Sequence, residues 1–91
     1  MFLCRLVQDY WSLDVEGAEL PILKFTNFSA FRFGVMTVET STVSKTRRIC
    51  RLLEEKGFAQ LHHSLAKEVT FFDPLYFRMR GIAVPQHAQC E

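Results

Sequence analysis

The stretch DYWSLDVEGAELPILK, residues 9–24, decides how the rest of the chain is read. Tyr10 to Val15 is rich in aromatic and β-branched residues and reads as a short, mostly buried strand. Acids gather at its end, at Asp14, Glu16 and Glu19. Gly17 permits a sharp turn there. Ala18 to Phe25 then reads as a short helix, because Pro21 falls in or near the first turn, where a backbone N–H has no helical partner to lose. Leu20, Ile22 and Leu23 are its candidates for burial.

Downstream, Thr26 to Arg32 reads as a loop with Asn27 and Ser29 as turn formers, and Phe33 to Glu39 (FGVMTVE) as a second buried strand that also ends on an acid. Ser41 to Ser44 offers N-caps for the next helix. Its sequence KTRRICRLLEEKG places Ile49, Leu52 and Leu53 on one face before Gly57 ends it. Phe58 to His63 and Glu68 to Phe72 read as two more strands, joined by a short link over Ser64 to Lys67, and Asp73-Pro74 stops the second. From Gly81 onward no period is usable, so residues 81–91 are expected to be a frayed tail. Upstream, Phe2, Leu3, Leu6 and Val7 fit either the last turns of a helix or a strand.

The order is strand, helix, strand, helix, then two strands with a short link. A helical crossover between two apolar runs predicts a parallel pair covered on both faces, and the short link predicts a terminal antiparallel pair. The fold class is therefore α/β. Four strands make a plausible half of an open sheet, because nothing in the chain supplies strands on the other side of Tyr10 to Val15.

Composition sets the limits. The chain has 91 residues, with 11 Lys and Arg against 10 Asp and Glu for a net charge of +1, and 48% of its residues are hydrophobic. A chain this size buries roughly 60–70% of its extended surface, enough for one core and not two. The matched charge argues against a nucleic-acid or anionic-membrane binder. Four glycines leave little scope for a glycine-rich nucleotide loop. Cys4, Cys50 and Cys90 form no close pair, and three free thiols are the expectation. Residues 2–7 are too short an apolar run for a secretory core, and residues 25–38 too short and too polar for a membrane span.

In a parallel α/β sheet, ligands bind beyond the carboxyl ends of the strands. Asp14, Glu16, Glu19 and Glu39 stand at that edge, and clustered carboxylates in a cleft serve as general bases, metal ligands or hydroxyl acceptors. The competing reading gives Glu19 to its own helix N-terminus, leaves Glu16 in solvent and lets Glu39 cap its strand. His62 and His63, adjacent on a strand, face opposite sides and make no metal pair; His87 lies in the tail. Arg47, Arg48 and Arg51 read as a solvated helix face balanced by Glu54 and Glu55. Phe25, Phe28, Phe31 and Phe33 crowd one loop, as ordinary core, as a lid, or as a surface for missing protein.

These residues carry a family resemblance. DYWSLDVEGAELPILK, followed by FGVMTVE and by a basic helix ending in LLEEKGF (residues 52–58), resembles the signature block of FkbM-type methyltransferases, over roughly residues 7 to 72. The resemblance implies a class I, S-adenosylmethionine-dependent methyltransferase domain, often acting on a hydroxyl of a small molecule or sugar, with a seven-stranded Rossmann-like sheet whose last strand is antiparallel. On that plan Tyr10 to Val15 is the fourth strand, Phe33 to Glu39 the fifth, and the last two strands the terminal pair. Residues 1–80 then form the C-terminal portion of the domain. The resemblance makes Asp14 and Glu16 the catalytic candidates, for orienting the acceptor or removing its proton, while Glu19 and Glu39, from their place at the same edge, are the candidates for binding it. The family's first-strand glycine-rich turn and ribose-binding acid have no counterpart, so no residue is assigned to the main S-adenosylmethionine site or to a metal.

The leading expectation is a fragment of an O-methyltransferase, inactive alone, whose partners are a small-molecule acceptor and the missing N-terminal half of the domain. The alternative is a non-catalytic interaction or trafficking module derived from the same fold. A third reading, an independent small α/β binding domain, predicts cooperative monomeric unfolding. An intact glycine-rich turn upstream in the reading frame favours the enzyme, and a degraded one favours the module.

Overall fold

A computed structural model describes residues 6–15, 17–40, 42–61, 68–88 and 90. Its elements in chain order are β1 (Leu6–Leu13), α1 (Glu19–Phe25), β2 (Phe31–Glu39), α2 (Val43–Glu55), β3 (Ala59–Leu61), β4 (Glu68–Phe72), α3 (Pro74–Met79) and β5 (His87–Ala88). The strands form one mixed sheet in the order β1-β2-β4-β3-β5. β1 and β2 run parallel, with Leu13 opposite Val38, and are linked through α1. β4 is antiparallel to both β2 and β3. The α/β class and the parallel crossover pair agree with the sequence, as does the antiparallel β3/β4 pair.

Each helix follows from local chemistry. Thr42 caps α2 by accepting the Lys45 N–H at 3.1 Å. At the other end Gly57, with φ +93°, donates to the Glu54 carbonyl and Phe58 donates to that of Leu53, so the chain turns left-handed and drops Phe58 into the core. Pro21 sits in the first turn of α1, as its missing N–H requires. The buried residues Leu23 of α1 and Ile49, Cys50 and Leu53 of α2 share one core with Met36, Val38, Val69 and Phe71 of the sheet. Phe28 and Phe58 join this core edge to face at 5.3 Å, whereas Phe25 is 89% exposed.

Several expectations change or are settled. Tyr10 to Val15 is not a mostly buried strand: Leu13 is buried and Trp11 packs against the core, but Tyr10 is 57% exposed and Ser12 is exposed. The alternation arises because the helices packed on the core cover one side of β1 and leave the other to water. Leu6 and Val7, open to either a helix end or a strand from the sequence, belong to β1. β1 and β2 begin before the runs assigned to them, and β3 is only three residues long. His62, His63 and the Ser64 to Lys67 link lie outside the described residues.

The remaining differences lie after β4. Asp73-Pro74 does end the strand, but it also starts α3: Asp73 Oδ1 accepts the Leu75 N–H at 3.1 Å, with Pro74 in the first turn. Alternation along β4 sends Phe71 into the main core and Phe72 against Phe77 of α3. The Tyr76 ring lies flush on Gly34, where an added Cβ would meet ring carbons at 2.6 Å. The Tyr76 hydroxyl donates to Asp9, and that hydrogen bond to a carboxylate raises the phenol above its ordinary value. Within 81–91, His87 and Ala88 pair with Leu61 and Gln60. The thiol expectation is corrected for two cysteines, because Cys50 and Cys90 form a disulfide; their 40-residue separation hid a pairing that only the fold brings together. Cys4 lies outside the described residues.

Arg32, expected in a loop, is the joint of the structure. It donates to Asp73 Oδ2 from Nε at 3.2 Å and Nη2 at 2.9 Å, gives a third hydrogen bond to the Lys56 carbonyl, and lies 4.4 Å from the centre of the Phe58 ring. β2, the end of α2 and the start of α3 are thereby fixed together.

Candidate functional site at the carboxyl edge of the parallel pair

The parallel register places Leu13 beside Val38, so the residues that follow, Asp14 and Glu39, emerge at the same edge of the sheet. Asp14 is exposed and Glu39 half-buried. Glu39 stands across the antiparallel ladder from Glu68. Glu16 lies outside the described residues.

Beyond Leu13 the backbone bends sharply at Gly17, whose φ of +101° suits a residue without a side chain. What holds the bend is Glu19. The residue is 3% exposed, and its carboxylate accepts the Val15 N–H at 2.9 Å through Oε2 and the Gly17 N–H at 3.0 Å through Oε1. Burial pushes its pKa up, but the N–H donors of Val15, of Glu19 itself and of Gly17, with the charge of Lys45, outweigh that and hold it below the ordinary carboxylate value. Both oxygens are therefore turned inward, to the backbone of their own turn. The Val15 and Gly17 N–H groups, which could otherwise cradle an anionic ligand, are taken.

Lys45 is the residue the sequence reading missed. It comes from the first turns of α2, and its Nζ lies 3.5 Å from where a Cβ on Gly17 would be. Only the position of α2 directly after the carboxyl end of β2 could have pointed to it, since the turn and the lysine are nearly thirty residues apart. The edge thus combines an exposed carboxylate at Asp14, a half-buried one at Glu39, a committed one at Glu19 and an ammonium at Lys45. Such a set can orient a hydroxyl and accept its proton. Among the described residues no group of three or more His, Cys, Asp or Glu side chains could hold a metal ion. Hollows of about 570, 300 and 370 Å³ open elsewhere, beside Phe58 and Cys90, between Thr26 and Lys56, and along Arg47 to Arg51.

A family model for the methyltransferase FkbM domain matches residues 7–59, more than half of the chain. The chain belongs to the FkbM methyltransferase domain family. The FkbM match runs from β1 through the first residue of β3 and so contains the whole Asp14 to Glu19 turn, Glu39 and Lys45. No curated protein and no solved structure gives a significant match. Membership in the FkbM family implies S-adenosylmethionine as the methyl donor in general. Among the described residues the sharp turn at the carboxyl edge offers that molecule no inward N–H groups, since those of Val15 and Gly17 are filled by Glu19. No helix among the described residues is long and apolar enough to cross a membrane.

Proposed function

We propose that this chain is the acceptor-side, C-terminal portion of a Rossmann-like, S-adenosylmethionine-dependent O-methyltransferase domain acting on a hydroxyl of a small molecule or sugar. The observation that carries the reading is the edge itself: a parallel pair that ends at Asp14 and Glu39, with the following turn locked by Glu19 so that Asp14 stays exposed. The strand order supports it. β4, antiparallel between β2 and β3, takes the place of the reversed last strand of the class I plan, with β1 and β2 as the fourth and fifth strands. Among the described residues β1 has a strand neighbour on one side only, the side of β2, which leaves its other edge for the missing half.

In this reading Asp14, with Glu16 beside it in sequence, orients the acceptor hydroxyl and takes its proton. Glu39 helps to bind the acceptor. Glu19 acts one step removed, by fixing the turn that presents Asp14. The donor belongs to the half of the domain that this chain does not contain, so the chain alone transfers no methyl group.

Equilibrium binding of S-adenosylmethionine to the purified 91-residue chain, together with transfer of a labelled methyl group to a panel of sugar and small-molecule hydroxyls, tests the proposal. Neither binding nor transfer is expected. Transfer by the chain alone that Asp14→Asn abolishes would show that the donor site is here after all. In the complete domain, Asp14→Asn should lower kcat about 100-fold or more, as expected for loss of a general base, and an unchanged kcat would remove Asp14 from the mechanism.

A further inference from the structure

The segment after α3 has little of its own to hold it. Gly81 to Val84 are exposed. β5 has two residues and meets β3, itself three residues long, at Gln60 with Ala88 and Leu61 with His87. So short a ladder is too weak to persist in water unaided. The covalent tie is the bond from Cys90 to Cys50, on the buried side of α2.

The two sulfurs sit in different surroundings. Cys50 is 2% exposed within the core, whereas Cys90 is half-buried at its margin. Gln60 Oε1 lies 3.2 Å from Cys50 Sγ. A disulfide sulfur carries no hydrogen, so this oxygen gains a donor only when Cys50 is a thiol. The oxidised form has the β3/β5 pairing and the reduced form has a hydrogen-bond partner already in place. Beside the bond, a hollow of about 570 Å³ is bounded by Glu54, Gly57, Phe58 and Pro74 as well as by Ala88 and Cys90.

We propose that the Cys50–Cys90 bond is a redox latch for the C-terminal segment. Oxidised, it holds the segment along β3 as a fifth strand. Reduced, the segment leaves, the outer edge of β3 and the hollow beside Phe58 open, and α2 and the other four strands stay as they are. The reductant is a dithiol. One of its thiolates attacks Cys90 Sγ, the more accessible sulfur, and expels Cys50 as a thiolate, which takes up a proton and, as a thiol, donates a hydrogen bond to Gln60 Oε1. The second thiol then displaces Cys90, which is also protonated, and the dithiol leaves as a cyclic disulfide, having supplied two electrons and two protons.

Peptide mapping of the oxidised 91-residue chain without reductant should recover a Cys50–Cys90 link. Amide exchange is then followed with and without dithiothreitol. Residues 59–61 and 87–88 should exchange roughly tenfold faster or more on reduction, while residues 49–53 and 69–72 change by less than about threefold. Cys90→Ser, which spares the core around Cys50, should show the reduced pattern without reductant and no response to dithiothreitol. A link through Cys4, no link, or unchanged exchange at 59–61 and 87–88 overturns the latch. So does equal loss of protection in α2 and β4, which would make the bond a staple of the whole fold, and so does absence of protection in the oxidised chain.

Discussion

The turn at residues 13–19 and the segment at residues 73–90 are held by opposite means. In the turn, Glu19 reaches back to N–H groups two and four residues away. In the C-terminal segment, Asp73 meets Arg32 from 41 residues away and Cys90 meets Cys50 from 40. The first closes almost no loop and needs only the right residues in the right order. The second depends on the sheet having already brought distant residues together, at the cost of closing long loops. The FkbM match covers the turn and stops before the segment.

That contrast is most easily broken at Asp73. With side chains 7% and 15% exposed, Asp73 and Arg32 form a largely buried pair, and Asp73→Ala also removes the cap of α3. The expected cost is about 3–5 kcal/mol, read from denaturant unfolding. A loss below 1 kcal/mol would mean that the segment is independent of this joint.

Within the turn the effects are smaller and divide between two neighbouring acids. Glu19→Ala leaves the Val15 and Gly17 N–H groups without their acceptor, at about 2 kcal/mol. Its carboxyl is held below the ordinary 4.5, so the folded chain binds fewer protons there than the unfolded chain does in acid. That contribution is complete above about pH 4.5 and fades as pH falls through the folded value. Glu19→Gln should therefore flatten the acid limb of the stability curve, and an identical limb in the two proteins would show that Glu19 does not titrate with folding. The smallest effect belongs to Asp14→Asn, an exposed position, where stability should stay within about 0.5 kcal/mol. A larger loss would mean that Asp14 is structural and would undercut its role at the acceptor.

The legible parts of the fold share a property. The helix over residues 43–55 was visible from Ile49, Leu52 and Leu53 at helical spacing between the N-cap candidates of residues 41–44 and Gly57, and the structure caps it at Thr42 and Lys56, just before Gly57. β4 was visible to the residue. α3 was missed although Asp73 and Pro74 are a helix start as well as a strand stop, because a six-residue helix leaves too few residues to display a period. At the site, the acids at one edge were legible, since a crossover pair places both strand ends there. That Glu19 faces inward was one of two readings the sequence left open, and burial together with two N–H donors decided it.

The sequence by itself determined the α/β class, the parallel pair, the sharp turn at Gly17 and the family, because each rests on residues close together in the chain whose chemistry acts locally. Tertiary structure alone decided that Lys45 stands over Gly17, that Arg32 joins Asp73, that Cys50 bonds Cys90 and that one side of β1 stays in water. Those pairings join residues about 28 to 41 positions apart, and such contacts are set by how the layers pack, which no local pattern records.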